Sequence, residues 1–189
     1  PFARERYWVP TPEQQTATYS NSQLHPLLHI NESDLNEQKY GSVFTGEEIF
    51  LIDHQIREEK VLPGVAYLEM ARAAGELSTH GQVAQLKNII WLNPIKLKDN
   101  HQKIEISLFP SGKKIDYEVH SRKEQEKTIH SQGSIYVGEI EHPEKLDIEK
   151  LKLQCKKEIL KKEIYEAFKS EGLNLGLTYQ GVEKLYISE

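Results

Sequence analysis

Short apolar runs rich in β-branched residues dominate the middle of the chain. Apolar and polar residues alternate most clearly around Ile104, Ile106 and Leu108, and a period of two is typical of strands with one buried face. Turn residues such as Pro110 and Gly112 separate neighbouring runs, which favours an antiparallel meander. The pattern predicts strands within residues 42–44, 49–52, 83–92, 103–109, 114–121 and 128–137.

One segment within this region has helical spacing, from Gly64 to about Leu77. Its predicted core residues are Val65, Leu68, Met70, Ala71 and Ala74. Pro63 precedes the segment, and proline can start a helix but not continue one. A single apolar helix among antiparallel strands buries its surface best when the sheet wraps around it. We therefore predict an α+β protein with the hotdog fold.

Polar composition marks the two ends of the chain. Residues 1–22 have no apolar periodicity and are predicted to be a connector from an upstream domain, whereas residues 23–140 should form one hotdog. Residues 141–189 should contain a linker, an amphipathic helix near 157–171 that ends at Gly172, and a closing strand. Because no sequence remains to pair with that strand, we expect the chain to stop early in a second hotdog, making this the first half of a double hotdog.

The composition of the chain limits the kinds of molecule that it can bind. The 189 residues are 38% apolar and carry a formal net charge of -5, which suits a packed domain and offers no basic surface for nucleic acid. No apolar run approaches the roughly 20 residues of a spanning helix, so we expect no membrane and a cytoplasmic protein. Cys155 is the single cysteine and the histidines lack ligand spacing, so no metal site is predicted.

Residues 53–69 concentrate the groups that can perform chemistry. His54 follows an apolar run and precedes Pro63, so the strand and the helix start can face one cavity. The free N–H groups of Gly64 and Val65, at the positive end of the helix dipole, can polarise a carbonyl. An imidazole can accept a proton at cellular pH, so His54 is the candidate base for a β-elimination, although spacing alone leaves a structural histidine open.

Four segments resemble landmarks of the dehydratase domains of polyketide synthases. HQIREEKVLPGVAYLEMA is similar to the HxxxGxxxxP signature and following helix, with His54 and Pro63 in register. PFARERYW resembles the linker after upstream synthase domains, HPLL at 25–28 the opening strand, and GLNLGLTYQGVEKLY at 172–186 the GYxYGPxFQG region of a second hotdog. The resemblance implies a dehydratase, of the trans-acyltransferase type, with His54 as catalytic base. It also implies a substrate-binding set consisting of Pro63, Gly64, Val65, Gly176 and Tyr179.

The resemblance implies a hydro-lyase that removes water from a β-hydroxyacyl thioester and leaves an α,β-unsaturated thioester. The substrate would be tethered to the phosphopantetheine of an acyl carrier protein, and no cofactor would be bound directly. Neighbouring synthase domains and a second copy in a homodimer are the other implied partners.

This sequence departs from the family pattern at several positions. Glu58 stands where HxxxGxxxxP has glycine, and Leu175, Leu177 and Tyr179 stand where GYxYGPxF has Tyr, Pro and Phe, while Gly176 is kept. The family also implies an aspartic acid on the second hotdog helix that protonates the leaving hydroxyl. No residue here matches it, so we do not expect this chain alone to complete the reaction.

Three alternatives remain open. The first is a free-standing dehydratase that dimerises, in which Glu69 supplies the second catalytic group across the dimer. The second is a degenerate, structural dehydratase-like module. The third is a double-bond-shifting relative, against which Pro63 argues because such relatives lack the signature proline. Asp53 is interpreted as structural, because adjacent strand residues face opposite sides, and Trp91 is interpreted as a packing residue.

Overall fold

The computed structural model describes residues 23–97, 101–124, 126–140 and 144–188. Its strands are β1 (Ile30–Asn31), β2 (Gln38–Phe44), β3 (His54–Ile56), β4 (Glu59–Val61), β5 (Val83–Trp91), β6 (Lys96–Leu97), β7 (Gln102–Ser111), β8 (Lys114–Lys123), β9 (Glu126–Val137), β10 (Lys157–Leu160), β11 (Leu173–Leu175) and β12 (Lys184–Ile187). Its helices are α1 (Ile49–Ile52), α2 (Gly64–Thr79), α3 (Ile148–Leu153) and α4 (Lys161–Ser170), with a 3₁₀ turn at Leu177–Tyr179.

A six-stranded antiparallel sheet forms the main layer, in the order β1-β2-β7-β8-β9-β5. The predicted meander is its centre, because β7, β8 and β9 pair in succession, with Ile106 opposite Val119 and Tyr117 opposite Gly133. Gly112, with φ of 63°, lies in the tight turn between β7 and β8. The alternating run therefore folds as its period of two predicted.

Helix α2 packs against the inner face of this sheet and shares one core with it. Its small residues allow a close approach: a Cβ on Gly75 would lie 2.9 Å from Val83 and 3.0 Å from Ile135. The buried helix residues are Ala66, Tyr67, Met70, Ala71, Ala73, Ala74 and Gly75. This wrapped helix confirms the predicted hotdog fold. Val65 was wrongly predicted as core, because it lies in the first turn and its side chain is 66% exposed.

A second sheet, in the order β11-β3-β4-β6, lies at the N-terminal end of α2. Residues 49–52 lead into it as one helical turn, and the predicted strand there is wrong. The Glu48 carboxylate accepts hydrogen bonds from the N–H groups of Thr45 and Gly46 at 2.8 and 2.9 Å. That tight turn redirects the chain, so Leu51 is buried in the core and Phe50 packs partly buried against it, while Ile49 and Ile52 are exposed.

Near both ends of the described chain the structure differs from the predictions. Residues 25–28 form a turn closed by a bridge between His25 and Leu28, and β1 follows it, so the predicted opening strand is wrong there. Residues 157–160, predicted as helix, form β10, and α4 begins at Lys161. Strand β10 pairs antiparallel with β12, so the closing strand does have a partner within the chain. As predicted, α4 ends just before Gly172, which has φ of 85°.

Candidate active site

The hairpin formed by β3 and β4 positions His54. His54 is the first residue of β3, directly after α1, and its partly buried ring turns back toward β4. The His54 Nδ1 atom lies 2.8 Å from the carbonyl oxygen of Val61. A carbonyl oxygen can only accept a hydrogen bond, so Nδ1 carries the proton. The lone pair of Nε2 is therefore free to accept a proton from another molecule.

Two residues beyond Val61, Pro63 begins helix α2. Pro63 has φ of -59° and ψ of 143° and serves as the N-cap, with Gly64 as the first helical residue. The first N–H groups of an α-helix have no acceptor inside the helix, and they carry its positive partial charge. The N–H groups of Gly64 and Val65 are therefore donors without an acceptor inside the helix, and they follow the His54 hairpin directly along the chain.

Residues 173–179, which include β11 and the 3₁₀ turn, pack against the same hairpin although they lie far from it in the sequence. Strand β11 pairs antiparallel with β3, and Leu175 is the register partner of His54. The Tyr179 ring lies 5.6 Å from the His54 ring, centre to centre, and its hydroxyl donates a hydrogen bond to the Phe50 carbonyl at 3.1 Å. Burial, followed by the charge of Asp53, raises the pKa of Tyr179.

Asp53 attaches this segment to the hairpin. Its carboxylate accepts hydrogen bonds from the Thr178 hydroxyl and N–H at 2.7 and 3.0 Å, and these bonds lower the pKa of Asp53. The Gly176 N–H donates to the Asp53 carbonyl at 2.8 Å. A Cβ on Gly176 would lie 2.1 Å from the Asp53 carboxyl carbon. Asp53 thus has a structural role, as predicted, although it caps α1 and is not the strand residue that the prediction assumed. Glycine is needed at 176 for close packing.

The turn between β3 and β4 contains the departure at Glu58. Both Arg57 and Glu58 have positive φ, at 49° and 67°, the left-handed region in which glycine has the least strain. Arg57 also donates its N–H to the Gly172 carbonyl at 2.7 Å. The family glycine therefore corresponds to a backbone requirement that this chain meets with a glutamate.

Glu69 belongs to a different cluster on the outer side of α2. Its two carboxylate oxygens accept hydrogen bonds from Arg72 at 2.6 and 2.7 Å, and one of them lies 3.1 Å from His25 Nε2. The Arg72 guanidinium lowers the pKa of Glu69. These contacts give Glu69 a role in supporting the helix, and none of them involves His54.

The sequence patterns did not reveal the role of Trp91. Its indole Nε1–H donates a hydrogen bond to the Gly64 carbonyl at 3.1 Å, and its side chain is 52% exposed. It is therefore not simply the packing residue that we predicted. The two residues are 27 positions apart, and no periodicity in the sequence connects them.

Other features of the described residues lie outside this cluster. A cavity of about 740 Å³ opens between α4 and β11, and its lining residues include Gln55, Tyr165 and Lys169 but not His54. Within the described ranges, no three His, Cys, Asp or Glu side chains are grouped so that they could hold a metal ion. The helices in those ranges are too short or too polar to cross a membrane. The predicted connector, residues 1–22, lies outside the described residues.

Known proteins resemble this chain in sequence and in fold. Polyketide synthase PksM of Bacillus subtilis is 42% identical over 199 aligned residues, covering 100% of this chain but 5% of that synthase. A trans-AT PKS dehydratase domain from Brevibacillus brevis superimposes with a TM-score of 0.84 at 38% identity, covering 87% of this chain and 61% of the other. The dehydratase domain from the CurF module of Curacin polyketide synthase, at 24% identity and a TM-score of 0.79, shows the shared fold.

The chain thus spans about three fifths of the Brevibacillus domain and a small part of the Bacillus synthase. The family described as "Polyketide synthase dehydratase domain" matches residues 25–122. That match includes the hairpin with His54 and the whole of helix α2. The chain belongs to the polyketide synthase dehydratase domain family.

Proposed function

We propose that this chain supplies the catalytic base and the carbonyl-binding helix start of a dehydratase. The reaction removes water from a β-hydroxyacyl thioester to give an α,β-unsaturated thioester in polyketide biosynthesis. The observation that carries the proposal is the hydrogen bond from His54 Nδ1 to the Val61 carbonyl. It leaves Nε2 as an acceptor on a hairpin that leads directly into Pro63 and Gly64.

In the proposed mechanism, the thioester carbonyl binds to the N–H groups of Gly64 and Val65. This interaction acidifies the neighbouring α-carbon, and His54 Nε2 takes the α-proton. The electron pair of the broken C–H bond forms the double bond, and the β-hydroxyl leaves after it accepts a proton. The Val61 carbonyl stabilises the imidazolium that forms on His54, because it continues to accept the Nδ1 proton.

We propose that the proton for the departing hydroxyl comes from an aspartic acid of a second hotdog, as the family resemblance implies. In this proposal residues 1–22 connect to an upstream synthase domain, 23–140 are the first hotdog, and 141–189 lead into the second. The contacts of β11 with β3 support it, because they bring residues from the third segment to His54. Pro63, Gly176 and Tyr179 then shape the substrate site, with Gly176 acting through its packing on Asp53.

The proposed substrate is carried on the phosphopantetheine arm of an acyl carrier protein, and no further cofactor takes part. Neighbouring synthase domains and a second copy of the protein are the other proposed partners. The free-standing dimeric alternative is less well supported, because both carboxylate oxygens of Glu69 are bound by Arg72.

The test is His54→Ala in a protein that contains the complete dehydratase domain. We expect dehydration of a β-hydroxyacyl carrier-protein thioester to slow by about 100- to 10,000-fold, the usual cost of losing a positioned base. Mass spectrometry of the carrier-bound acyl group measures the loss of water directly. Folding should be retained, because the partly buried ring contributes little to the core.

Two further variants make the test specific. His101→Ala removes an exposed histidine directly before β7 and should leave the rate unchanged. Glu69→Gln should also retain activity, whereas a symmetric dimer that uses Glu69 would lose it. If His54→Ala dehydrates the substrate at the wild-type rate, His54 is not the base.

A further inference from the structure

The indole of Trp91 contacts the helix start that is proposed to bind the thioester carbonyl. Its Nε1–H donates a hydrogen bond to the Gly64 carbonyl at 3.1 Å. The ring covers the position of a side chain at residue 64, since a Cβ there would lie 3.4 Å from Nε1 and 3.6 Å from the next ring atom. Trp91 therefore contacts both the carbonyl and the open side of this glycine.

The end of the main sheet holds Trp91 in place. Trp91 is the last residue of β5, where Ser131 of β9 is its register partner. The next residue, Leu92, donates its N–H to the His130 carbonyl at 2.8 Å. The Asn93 side chain donates to the Ile129 carbonyl at 2.8 Å. Hydrogen bonds from the two residues after Trp91 thus hold its backbone against β9.

The residues that follow Trp91, up to Ile95, contact the helix start at two more points. The Ile95 N–H donates to the Tyr67 hydroxyl at 2.9 Å, in the buried core. The Leu62 N–H donates to the Ile95 carbonyl at 2.9 Å. Residues 91–95 therefore hold the chain immediately before, at and after the Pro63-Gly64 junction.

A hydrogen bond to the Gly64 carbonyl also acts on the Val65 N–H, because the two groups belong to one peptide unit. That unit is planar and trans, so its C=O and N–H point in opposite directions. Fixing the oxygen of Gly64 fixes the direction of the Val65 N–H. A donor on the oxygen also polarises the peptide, and linked hydrogen bonds strengthen one another by about 10–30%.

The indole N–H adds a second donor to an oxygen that the helix already uses. Gly64 is the first residue of α2, and in an α-helix the carbonyl of that residue accepts the N–H of residue 68, whereas the first N–H groups have no partner inside the helix. A carbonyl oxygen has two lone pairs and can accept both donors. The missing side chain leaves this side of Gly64 to the indole, since a Cβ there would be in van der Waals contact with the ring.

We propose that Trp91 is a positioning residue for dehydration: its indole N–H orients and polarises the Gly64–Val65 peptide that binds the thioester carbonyl. This inference rests on the proposed function. Trp91 makes no contact with the reacting atoms and acts only through that peptide. A purely structural tryptophan would contribute to folding stability but would not change the polarisation of a bound carbonyl.

The experiment replaces Trp91 with β-(3-benzothienyl)alanine, which keeps the size and shape of the ring but has sulfur in place of the N–H. It uses a protein that contains the complete dehydratase domain. Losing a direct oxyanion donor costs about 100- to 1,000-fold in kcat, and an indirect donor should cost less, about 10-fold. We expect kcat to fall by this factor while KM and the unfolding midpoint stay near their wild-type values.

Infrared spectroscopy provides a readout that needs no turnover. The probe is a saturated acyl-pantetheine thioester with a ¹³C-labelled carbonyl, which binds but has no hydroxyl to lose. Its carbonyl stretch should move to lower wavenumber in the wild-type protein and move less in the benzothienyl variant. The same replacement at Phe109, an exposed aromatic residue on β7, is the matched control and should change neither measurement.

The outcomes separate this inference from the proposed function. A wild-type protein that shifts the carbonyl band but never releases water would contradict the dehydratase proposal, and the band shift would still test Trp91. If the benzothienyl variant retains both the wild-type kcat and the full band shift, Trp91 only packs against the helix and the inference is wrong.

Discussion

At the scale of single residues, the two-residue turn between β3 and β4 shows a conflict between side chain and backbone. Arg57 and Glu58 both occupy the left-handed region, with φ of 49° and 67°. A residue with a side chain is strained there by contact between its Cβ and the backbone. The turn persists because β3 and β4 pair on both sides of it and because Arg57 donates its N–H to Gly172.

Glu58→Gly should therefore stabilise the protein. Relief of the left-handed strain outweighs the extra entropy of an unfolded glycine, and we expect a gain of about 1 kcal/mol in the free energy of unfolding. Urea unfolding measures this change. His54 lies four residues before Glu58, so the gain should come without loss of dehydration activity.

Glu47→Gly is the matched control, because Glu47 is an exposed glutamate outside the left-handed region. That change should destabilise the protein by about 0.5 kcal/mol through chain entropy alone. Equal effects of the two substitutions would mean that the turn at Glu58 is not strained.

The sequence predicted the relative placement of residues best where they lie close together along the chain. His54 and Pro63 are nine positions apart in the sequence, and the hairpin between them brings His54 to Val61, just before the helix start. The contact of Trp91 with Gly64 was not predictable, since it depends on how the end of β5 lies over α2. The role of Asp53 as an anchor was only partly foreseen, because its partner Thr178 is 125 residues away.

At the scale of elements, the attachment of β11 and the 3₁₀ turn to the β3 hairpin determines the shape of the candidate site. Gly176 is the tightest point of this attachment, since a Cβ there would overlap the Asp53 carboxyl group at 2.1 Å. Thr178 and Tyr179 then bond to Asp53 and Phe50. A displacement at Gly176 would therefore move the Tyr179 ring away from His54.

Gly176→Ala should destabilise this attachment. We expect a loss of about 1–3 kcal/mol in the free energy of unfolding, the typical cost of overpacking. Chemical denaturation measures the loss. Gly181→Ala is the matched control, because a Cβ on Gly181 would meet no atom within 4 Å.

A double-mutant cycle with Asp53→Ala identifies the cause. Removing the carboxyl group makes room for the new methyl, so the double variant should lose less stability than the sum of the two single variants, with a coupling of at least about 0.5 kcal/mol. Strict additivity would show that Asp53 is not what excludes a side chain at residue 176.

The predicted helices and strands also show where sequence patterns fail to predict the structure. Alternation predicted the strands of the meander because each of them buries one face against α2. The apolar run at 49–52 was wrongly predicted as a strand, because it follows a tight turn and forms one helical turn instead of joining a sheet. Residues 157–160 were predicted as helix because their charged composition is typical of a solvated helix, whereas pairing with β12 requires partners 24 to 30 positions away.

At the scale of the whole molecule, the sheet carries a charged network on the face away from α2. Glu105 and Ser107 of β7 project there beside His120 of β8. Ser107 Oγ lies 2.9 Å from His120 Nε2, and His120 is fully buried. Lys39, Lys103 and Arg122 lie within 3.6 Å of the Glu105 carboxylate. These residues connect β2, β7 and β8 on the side that the helix does not cover.

Burial of His120 links the stability of the whole sheet to pH. Burial, followed by the charge of Lys127, lowers the pKa of His120 from 6.5 to about 4, although Glu105 and Glu37 act in the opposite direction. The neutral ring is therefore favoured in the folded protein. An unfolded chain takes up the proton near pH 6.5, before the folded protein does, so stability is full above pH 6.5 and is lost as the pH falls toward 4.

Acid should therefore weaken the folded protein through His120. Between pH 7 and pH 5, uptake of a proton by His120 in the unfolded chain should reduce the free energy of unfolding by about 2 kcal/mol. This pH range lies above the usual titration of the carboxylates. His120→Gln keeps a polar partner for Ser107 but cannot be protonated, so its stability should fall less over the same range. Urea unfolding at pH 7, 6 and 5 measures both slopes, and His101→Gln, which removes an exposed histidine, should retain the wild-type slope.

His130 is also buried and its pKa is lowered by burial, so some dependence on pH should remain in the His120 variant. Equal slopes for wild type and His120→Gln would show that His120 is not the group through which acid weakens the sheet.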